Sequence, residues 1–267
     1  MTKPEENNWE YFWQERLKPR IGKEKNWDEE AEKFSQRSKQ DEYQKNLFSK
    51  MRITNNDTII DLGCGEGSIT IPLAKIAKKV TAIDSSPKML EILERRYEEK
   101  NIENINIINK ELENVKSNEV GKHDIVLASR SINGIFPIKE TLSNLNDIAN
   151  KYVYITLFGP NNWKFEANFY KSIGKDYESF APYSYLFNIL VEMGIHPNVE
   201  NLEIKTNRTY KNVHDAIENG KWRLNSFNEE EKIQLRSYLK ENLVKNKEGL
   251  LENSDDKADW ILIWWKK

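Results

Sequence analysis

From residue 58 onward, short apolar runs alternate with stretches in which apolar residues recur every three or four positions. The runs are "TIIDL" (58–62), "VTAID" (80–84), "INIIN" (105–109), "DIVLAS" (124–129) and "YVYITLF" (152–158). Their β-branched and apolar content is that of strands buried on both faces. The segments between them, such as "ITIPLAKIAKK" and "PKMLEILERRYEEK", carry the period of amphipathic helices. Strand and helix in repeated alternation predict an α/β fold: a doubly wound, mostly parallel sheet with helices on both faces and right-handed crossovers.

The flanks read differently. Trp9, Phe12, Trp13 and Leu17, then Trp27, Ala31 and Phe34, fall at helical spacings. They predict two amphipathic helices broken near Pro19 and Gly22, an N-terminal helical cap over 1–50 ahead of a main domain over 51–267. Beyond residue 160 an aromatic-rich segment, 161–188, has no clean period. "SYLFNILVEMGI" (184–195) reads as a helix ending at Gly194, and "VENLEIKT" (199–206) as a strand. Polar helices are expected near 212–219 and 228–243, and "ADWILIWWKK" closes the chain as a strand. No repeat or low-complexity linker interrupts the sequence, so 161–198 and 208–250 are expected to be insert or cap elements on one core rather than a second domain.

Composition narrows the function classes. A chain of 267 residues is long enough for one large α/β domain with additions or for two small domains, and one core with appendages is expected. A formal net charge of -2 and an isoelectric point near 6.1 argue against nucleic acid as the partner. The one tempting basic cluster, Lys18, Arg20, Lys23 and Lys25, is equally a solvated helix linker. No apolar run approaches the roughly 20 residues that span a bilayer, and the first residues lack a signal-peptide layout. A single cysteine, Cys64, and three scattered histidines give neither a disulfide nor metal-ligand spacing, so no metal and a reducing, cytoplasmic setting are expected.

The chemistry concentrates in "TIIDLGCGEGSIT", where a carboxylate ends the first strand and three alternate glycines follow. A glycine-rich turn at the carboxyl end of a strand is where nucleotide-like ligands lie against exposed backbone amides. The dinucleotide fingerprint G-x-G-x-x-G is not met: after Gly63 and Gly65 its third position holds Ser68, and the third glycine is Gly67. Asp61 at the strand tip would repel a pyrophosphate and suits a cationic amine. The second strand ends on Asp84, about 20 residues after the turn, where an acid can accept from ribose hydroxyls. Ser86 and Pro87 then read as an N-cap and first helical position.

The pattern D-x-G-x-G-x-G, at Asp61, Gly63, Gly65 and Gly67, resembles motif I of the class I S-adenosylmethionine-dependent methyltransferases, over roughly residues 52–160. The resemblance implies a seven-stranded Rossmann-like sheet with an antiparallel last strand. It implies S-adenosylmethionine as cofactor and S-adenosylhomocysteine as product. Asp61 would then hold the methionine amino group, and the loop Gly63, Cys64, Gly65 and Gly67 would face the adenosyl part. Asp84 and Ser85 would address the ribose and Met89 the ribose or adenine. Glu111 and Leu112 would bracket the adenine, although Lys110 and Glu111 stand where this family more commonly has Gly-Asp. Ser129 and Arg130 would lie at the sheet edge where cofactor meets acceptor. Plainer readings exist for each: turn geometry for the glycines, strand ends for the acids, and a packed, inert thiol for Cys64.

Methyl transfer from a sulfonium is an in-line displacement that mainly needs a held acceptor and excluded water. The Asn-Pro-Pro-aromatic motif of amino-methylating nucleic-acid enzymes is absent, its place taken by "SRSIN". A small-molecule acceptor is therefore expected, with the N-terminal helices as a lid. Candidate acceptor contacts are Tyr11 and Trp13 in that lid, Arg130 and Asn133 after the fourth strand, and Trp163 in the aromatic segment; Phe12 and Trp13 read rather as packing against the domain, while Tyr11 falls off that stripe and faces the cleft. His123 is expected at the surface, far from the cofactor. Competing readings are a methyltransferase acting on RNA or a protein side chain, and a non-catalytic adenosylmethionine-binding regulator. Monomer and homodimer both stay open.

Overall fold

In the computed structural model, residues 8–20, 26–37, 42–222 and 227–267 are described. The five apolar runs become β1 (Thr58–Leu62), β2 (Lys79–Asp84), β3 (Ile105–Asn109), β4 (His123–Ser129) and β5 (Ala149–Phe158). With β6 (Asn198–Leu202) and the C-terminal β10 (Trp260–Lys266) they form a seven-stranded sheet in the order β3-β2-β1-β4-β5-β10-β6. The pairs β1–β2, β1–β4, β2–β3 and β4–β5 are parallel. The Lys267 amide donates to the Lys151 carbonyl, which sets the end of β10 against the start of β5 and makes β10 the antiparallel strand. The chain order reverses between β1 and β4, so the carboxyl ends of those strands open the crevice where such sheets bind ligands.

Two compact units divide the chain. The first comprises Met1–Phe158, Phe180–Leu202 and Ile261–Lys267. Its helices are α1 (Trp9–Leu17), α2 (Trp27–Arg37), α3 (Glu42–Lys50), α4 (Thr70–Ala74), α5 (Pro87–Glu98), α6 (Ser117–Val120), α7 (Ile138–Ile148) and α9 (Tyr183–Glu192). Ile60, Val126, Val153 and Ile155 of the sheet pack with Leu142 and Leu145 of α7 and Leu186 and Ile189 of α9. Burying such side chains is worth about 1.5–3 kcal/mol each, which is why the apolar runs dictate the sheet.

The second unit comprises Gly159–Ser179 and Glu203–Trp260. It contains α8 (Lys164–Ser172), β7 (Asn207–Tyr210), α10 (Val213–Asn219), α11 (Glu229–Asn242), β8 (Val244–Lys245) and β9 (Leu251–Lys257), the strands in the antiparallel order β7-β9-β8. Phe165, Phe169, Tyr210, Phe227, Leu235 and Leu239 form its own core. A single core was expected because no linker is visible. The reason it divides is that the second unit is assembled from two separated segments, neither of which needs a linker composition.

Three N-terminal helices are found where two were expected. Lys23 and Lys25, and the break at Gly22, lie outside the described residues, as does the side chain of Phe34. His123 corrects another expectation: it opens β4 and is buried, its Nε2 2.9 Å from Thr81 Oγ1, and burial pushes its pKa down. Among the described residues no helix is long and apolar enough to cross a membrane.

Candidate active site

The three glycines of the β1–α4 turn all adopt left-handed backbone, with φ of 73°, 54° and 83°. Their surroundings separate them. A Cβ on Gly63 would lie 2.3 Å from Ser131 Cβ, and one on Gly67 2.3 Å from Leu93 Cδ1, so these two permit internal packing. A Cβ on Gly65 would meet nothing within 4 Å. Gly65 is the point where backbone faces open space.

Asp61 sits at the tip of β1, 1% exposed. Its Oδ2 accepts from Thr70 Oγ1 at 2.7 Å, while its Oδ1 is buried and accepts no hydrogen bond. Burial pushes its pKa up to about 7; the charges of Asp84 and Glu66 add to this, against the Thr70 hydrogen bond and the Arg130 charge. A buried carboxylate with an orphaned oxygen fits the ammonium of a sulfonium nucleoside, which would supply both a donor and a counter-charge.

Asp84 ends the neighbouring strand. Its Oδ2 accepts from the Gly65 amide at 2.8 Å and its Oδ1 from the Ser86 amide at 2.9 Å, so it ties the glycine turn to the start of α5. Burial raises its pKa despite both bonds. Asn109 Nδ2 donates to the carbonyls of Asp84 and Ser85, fixing the loop after β2. Ser86 caps α5 by accepting from the Met89 amide at 3.2 Å, with Pro87 at the first helical position.

The cap also engages α2. Ser86 Oγ donates to Asp28 Oδ1 at 2.5 Å, and the Lys88 amide reaches the same oxygen at 3.2 Å. Arg96 of α5 donates to the carbonyl and hydroxyl of Ser35 and to the Glu66 carbonyl. Met89 packs with Ala31 and Ile92 between the two helices. Thus α2 is clasped along α5 beside the glycine turn.

At the end of β4, Ser129 Oγ lies 2.7 Å from the Tyr43 hydroxyl, which also lies 2.7 Å from Thr156 Oγ1 of β5. Arg130 takes φ of 61°, a strained conformation for a residue with a Cβ; its amide donates to Thr156 Oγ1 and its guanidinium sits 4.4 Å from the Tyr43 ring centroid. Gln44, buried beside Tyr43, donates to the Ser68 carbonyl at 3.2 Å. Tyr43 and Gln44 of α3 were missed by sequence reasoning. The only signal was the four-residue spacing of Tyr43 and Leu47 in an otherwise polar stretch.

The structure thus gathers Asp61, the Gly63–Gly67 turn with buried Cys64, Asp84, Ser85, Ser129 and Arg130 at the carboxyl ends of β1, β2 and β4. Glu111 and Leu112 follow the carboxyl end of β3 beside Asp84, where Asn109 pairs with Asp84 and the Lys110 amide donates to the Asp84 carbonyl at 3.0 Å. Leu112 is buried in the main core, and Glu111 is exposed just before it. Trp13 is wholly buried, its indole donating to the Ile135 carbonyl at 2.7 Å. Tyr11 is 42% exposed; Phe12, expected to pack inward, is also exposed and edges against Trp9 and Tyr185. Asn133 is buried, accepting from the Phe158 amide, with its Nδ2 unpartnered. Trp163 belongs to the second unit.

Residues 53–216 match the family model described as "Methyltransferase domain". An uncharacterized protein of Haemophilus influenzae is 26% identical over 245 residues, covering 90% of this chain and 88% of that one. The probable cobalt-precorrin-6B C(15)-methyltransferase (decarboxylating) of Methanobrevibacter smithii is 35% identical over 102 residues, 38% of this chain and 54% of that protein. The crystal structure of a putative methyltransferase from Bacillus halodurans shares the fold with a TM-score of 0.55 at 14% identity, over 84% of this chain and 98% of that one. The chain belongs to the methyltransferase-domain family, within the class I S-adenosylmethionine-dependent enzymes, and S-adenosylmethionine is its cofactor.

Proposed function

We propose that the protein methylates a small molecule, working in the cytoplasm, with the cofactor held over Gly65. The observation that carries the placement is Asp61: a buried carboxylate, one oxygen unpartnered, beside the one turn glycine that faces open space. When bound, S-adenosylmethionine supplies an electrophilic methyl group on sulfur. The protein's part is to orient and to exclude water. Asp61 takes the ammonium, and the Gly65 backbone accommodates the nucleoside. Asp84, already positioned by two amides, retains lone pairs for the ribose hydroxyls.

On the acceptor side, displacement needs the nucleophile about 3 Å from the methyl carbon. Arg130 and Ser129, fixed by Tyr43 and Thr156, line that end of the crevice. The packing of α2 along α5 and of α3 at the ends of β4 and β5 supports a small acceptor over a large polymer, since α3 is tied down by a buried hydrogen bond and α2 by a part-buried one. The relative from Methanobrevibacter smithii, named for a cobalt-precorrin, is consistent with this reading.

The test is calorimetric titration with S-adenosylhomocysteine, followed by incubation with methyl-labelled cofactor and fractionated cell extract. Asp84→Ala is expected to weaken binding by about 1–3 kcal/mol through lost charge-assisted hydrogen bonds. An unchanged dissociation constant contradicts the ribose assignment. Label appearing in RNA or protein fractions instead of small metabolites overturns the acceptor class.

A further inference from the structure

The amino end of the large sheet carries a cavity of about 300 Å³ that the methyl-transfer site does not use. Its sheet wall is Thr58 of β1, Lys79 and Thr81 of β2, and Asn106 and Ile108 of β3. The register explains their convergence: Thr58 pairs with Lys79, Thr81 with Asn106 and Ile83 with Ile108, so these side chains share one face. Farther along that face Ile60, Leu62 and Ile83 join the main core. The face thus turns from apolar to polar toward the amino end, where a strand buried on both faces would continue apolar. The element that crosses it, α6, is a single turn, Ser117–Val120, too short to fill the space.

The donors in this lining are not matched by acids. Lys79 and Asn106 are exposed, and among the described residues neither side chain has an ion-pair or hydrogen-bond partner. Lys122, also in the lining, donates only to the uncharged carbonyl of Asp147. The lining acid, Glu119, is already paired with Lys110 at 2.6 Å. Two ammonium groups therefore stand at the cavity with no carboxylate paired to them. Ile108 and Val120 supply an apolar patch, both partly buried against the main core.

We propose that this cavity binds a small organic phosphate, its phosphoryl oxygens accepting from Lys79, Lys122 and Asn106 and its organic part resting on Ile108 and Val120. Two ammonium point charges and an amide donor suit a tetrahedral dianion whose oxygens point several ways. A planar carboxylate is a poorer match, because no arginine lines the cavity to offer it a bidentate fork. The site lies at the opposite end of the strands from the cofactor crevice: Thr58 is three residues before Asp61 and Thr81 three before Asp84, about 10 Å along each strand. The inference does not rest on the methyl-transfer assignment.

The test is calorimetric titration of the full chain with phenyl phosphate, inorganic phosphate and phenol, without cofactor and again with saturating S-adenosylhomocysteine. Phenyl phosphate is expected to bind equally under both conditions, severalfold more tightly than inorganic phosphate, and phenol not to bind. Lys79→Gln and Asn106→Ala should each weaken phenyl phosphate severalfold at an unchanged melting temperature, because both side chains are exposed and hold nothing else in place. Lys240→Gln, the same change of charge on an exposed lysine of α11, should leave the affinity unaltered. Absence of saturable heat with phenyl phosphate at millimolar concentration overturns the proposal, as does phenyl phosphate binding no tighter than inorganic phosphate. So does equal weakening by Lys79→Gln and Lys240→Gln, which would reduce the effect to general attraction of an anion. Displacement by S-adenosylhomocysteine would put the anion in the cofactor crevice and overturn it too. The affinity for S-adenosylhomocysteine itself reports separately on the methyl-transfer reading.

Discussion

Asp61 is held against its own solvation. A pKa of about 7 in place of 3.8 means that the folded protein binds this proton more tightly than the unfolded chain. The associated stability is fully present below pH 4 and is lost as pH rises through 7, by about 4 kcal/mol. Asp61→Asn should therefore raise the melting temperature of the cofactor-free protein at pH 8 while weakening S-adenosylhomocysteine binding at least tenfold. Moreover, an ammonium needs the ionised carboxylate, so binding to the wild type should weaken below pH 7 and release a proton, measurable in buffers of different ionisation enthalpy. Affinity flat from pH 5.5 to 8 would remove Asp61 from the ammonium contact. Here the sequence was informative, because an acid before alternate glycines is legible as local chemistry. It did not distinguish Gly65, open to solvent, from Gly63 and Gly67, whose partners Ser131 and Leu93 come from remote segments. Nor could it show that His123 is buried, since that depends on Thr81 in the neighbouring strand.

At the scale of elements, the clasp of α2 on α5 joins the N-terminal helices to the loop that carries Asp84. Asp28→Ala removes the acceptor of both the Ser86 hydroxyl and the Lys88 amide. Its expected effect is loss of hydrogen-exchange protection in α2, with S-adenosylhomocysteine binding about three- to tenfold weaker. Unchanged protection of α2 would show that the packing of Ala31 on Met89 and Ile92 suffices. The central strands β1, β2 and β4 were legible because each is a nearly unbroken apolar run, as burial on both faces demands, whereas the edge strands β3 and β6 are partly exposed. The α8 helix was hidden because Phe165, Glu166, Phe169 and Tyr170 are all buried, which mixes polar with apolar positions on one face. The strand β9, "LENSDDK", offers little apolar signal at all, since its buried position is Asp256, bonded to Tyr210 and Arg208.

For the whole molecule, a ligand raises stability only where it binds. S-adenosylhomocysteine should thus increase hydrogen-exchange protection in β1, β2, α4 and α5 and leave α8 and α11 close to their free values, read by mass spectrometry on peptides from each unit. Equal protection across both units would show that they unfold as one cooperative body. The fold class was legible in the succession of runs that become the large sheet, down to the closing "ADWILIWWKK" as β10, whereas β7, β8 and β9 were not foreseen. The division into two units was not legible either, because no local property of the sequence marks which distant segments will share a core.

The second unit leaves the large sheet after Phe158, is interrupted by Phe180–Leu202, and leaves again after Leu202. Its ion network is split across that interruption: Glu166 comes from the first excursion, Arg208, Tyr210, Lys221 and Asp256 from the second. Neither excursion is a self-sufficient cassette. A chimera that exchanges one of them with a homologue strands half of a buried charge system opposite a foreign surface, whereas a double graft carries the system across intact. Any recombination or engineering that alters this part of the enzyme must therefore move two sites at once.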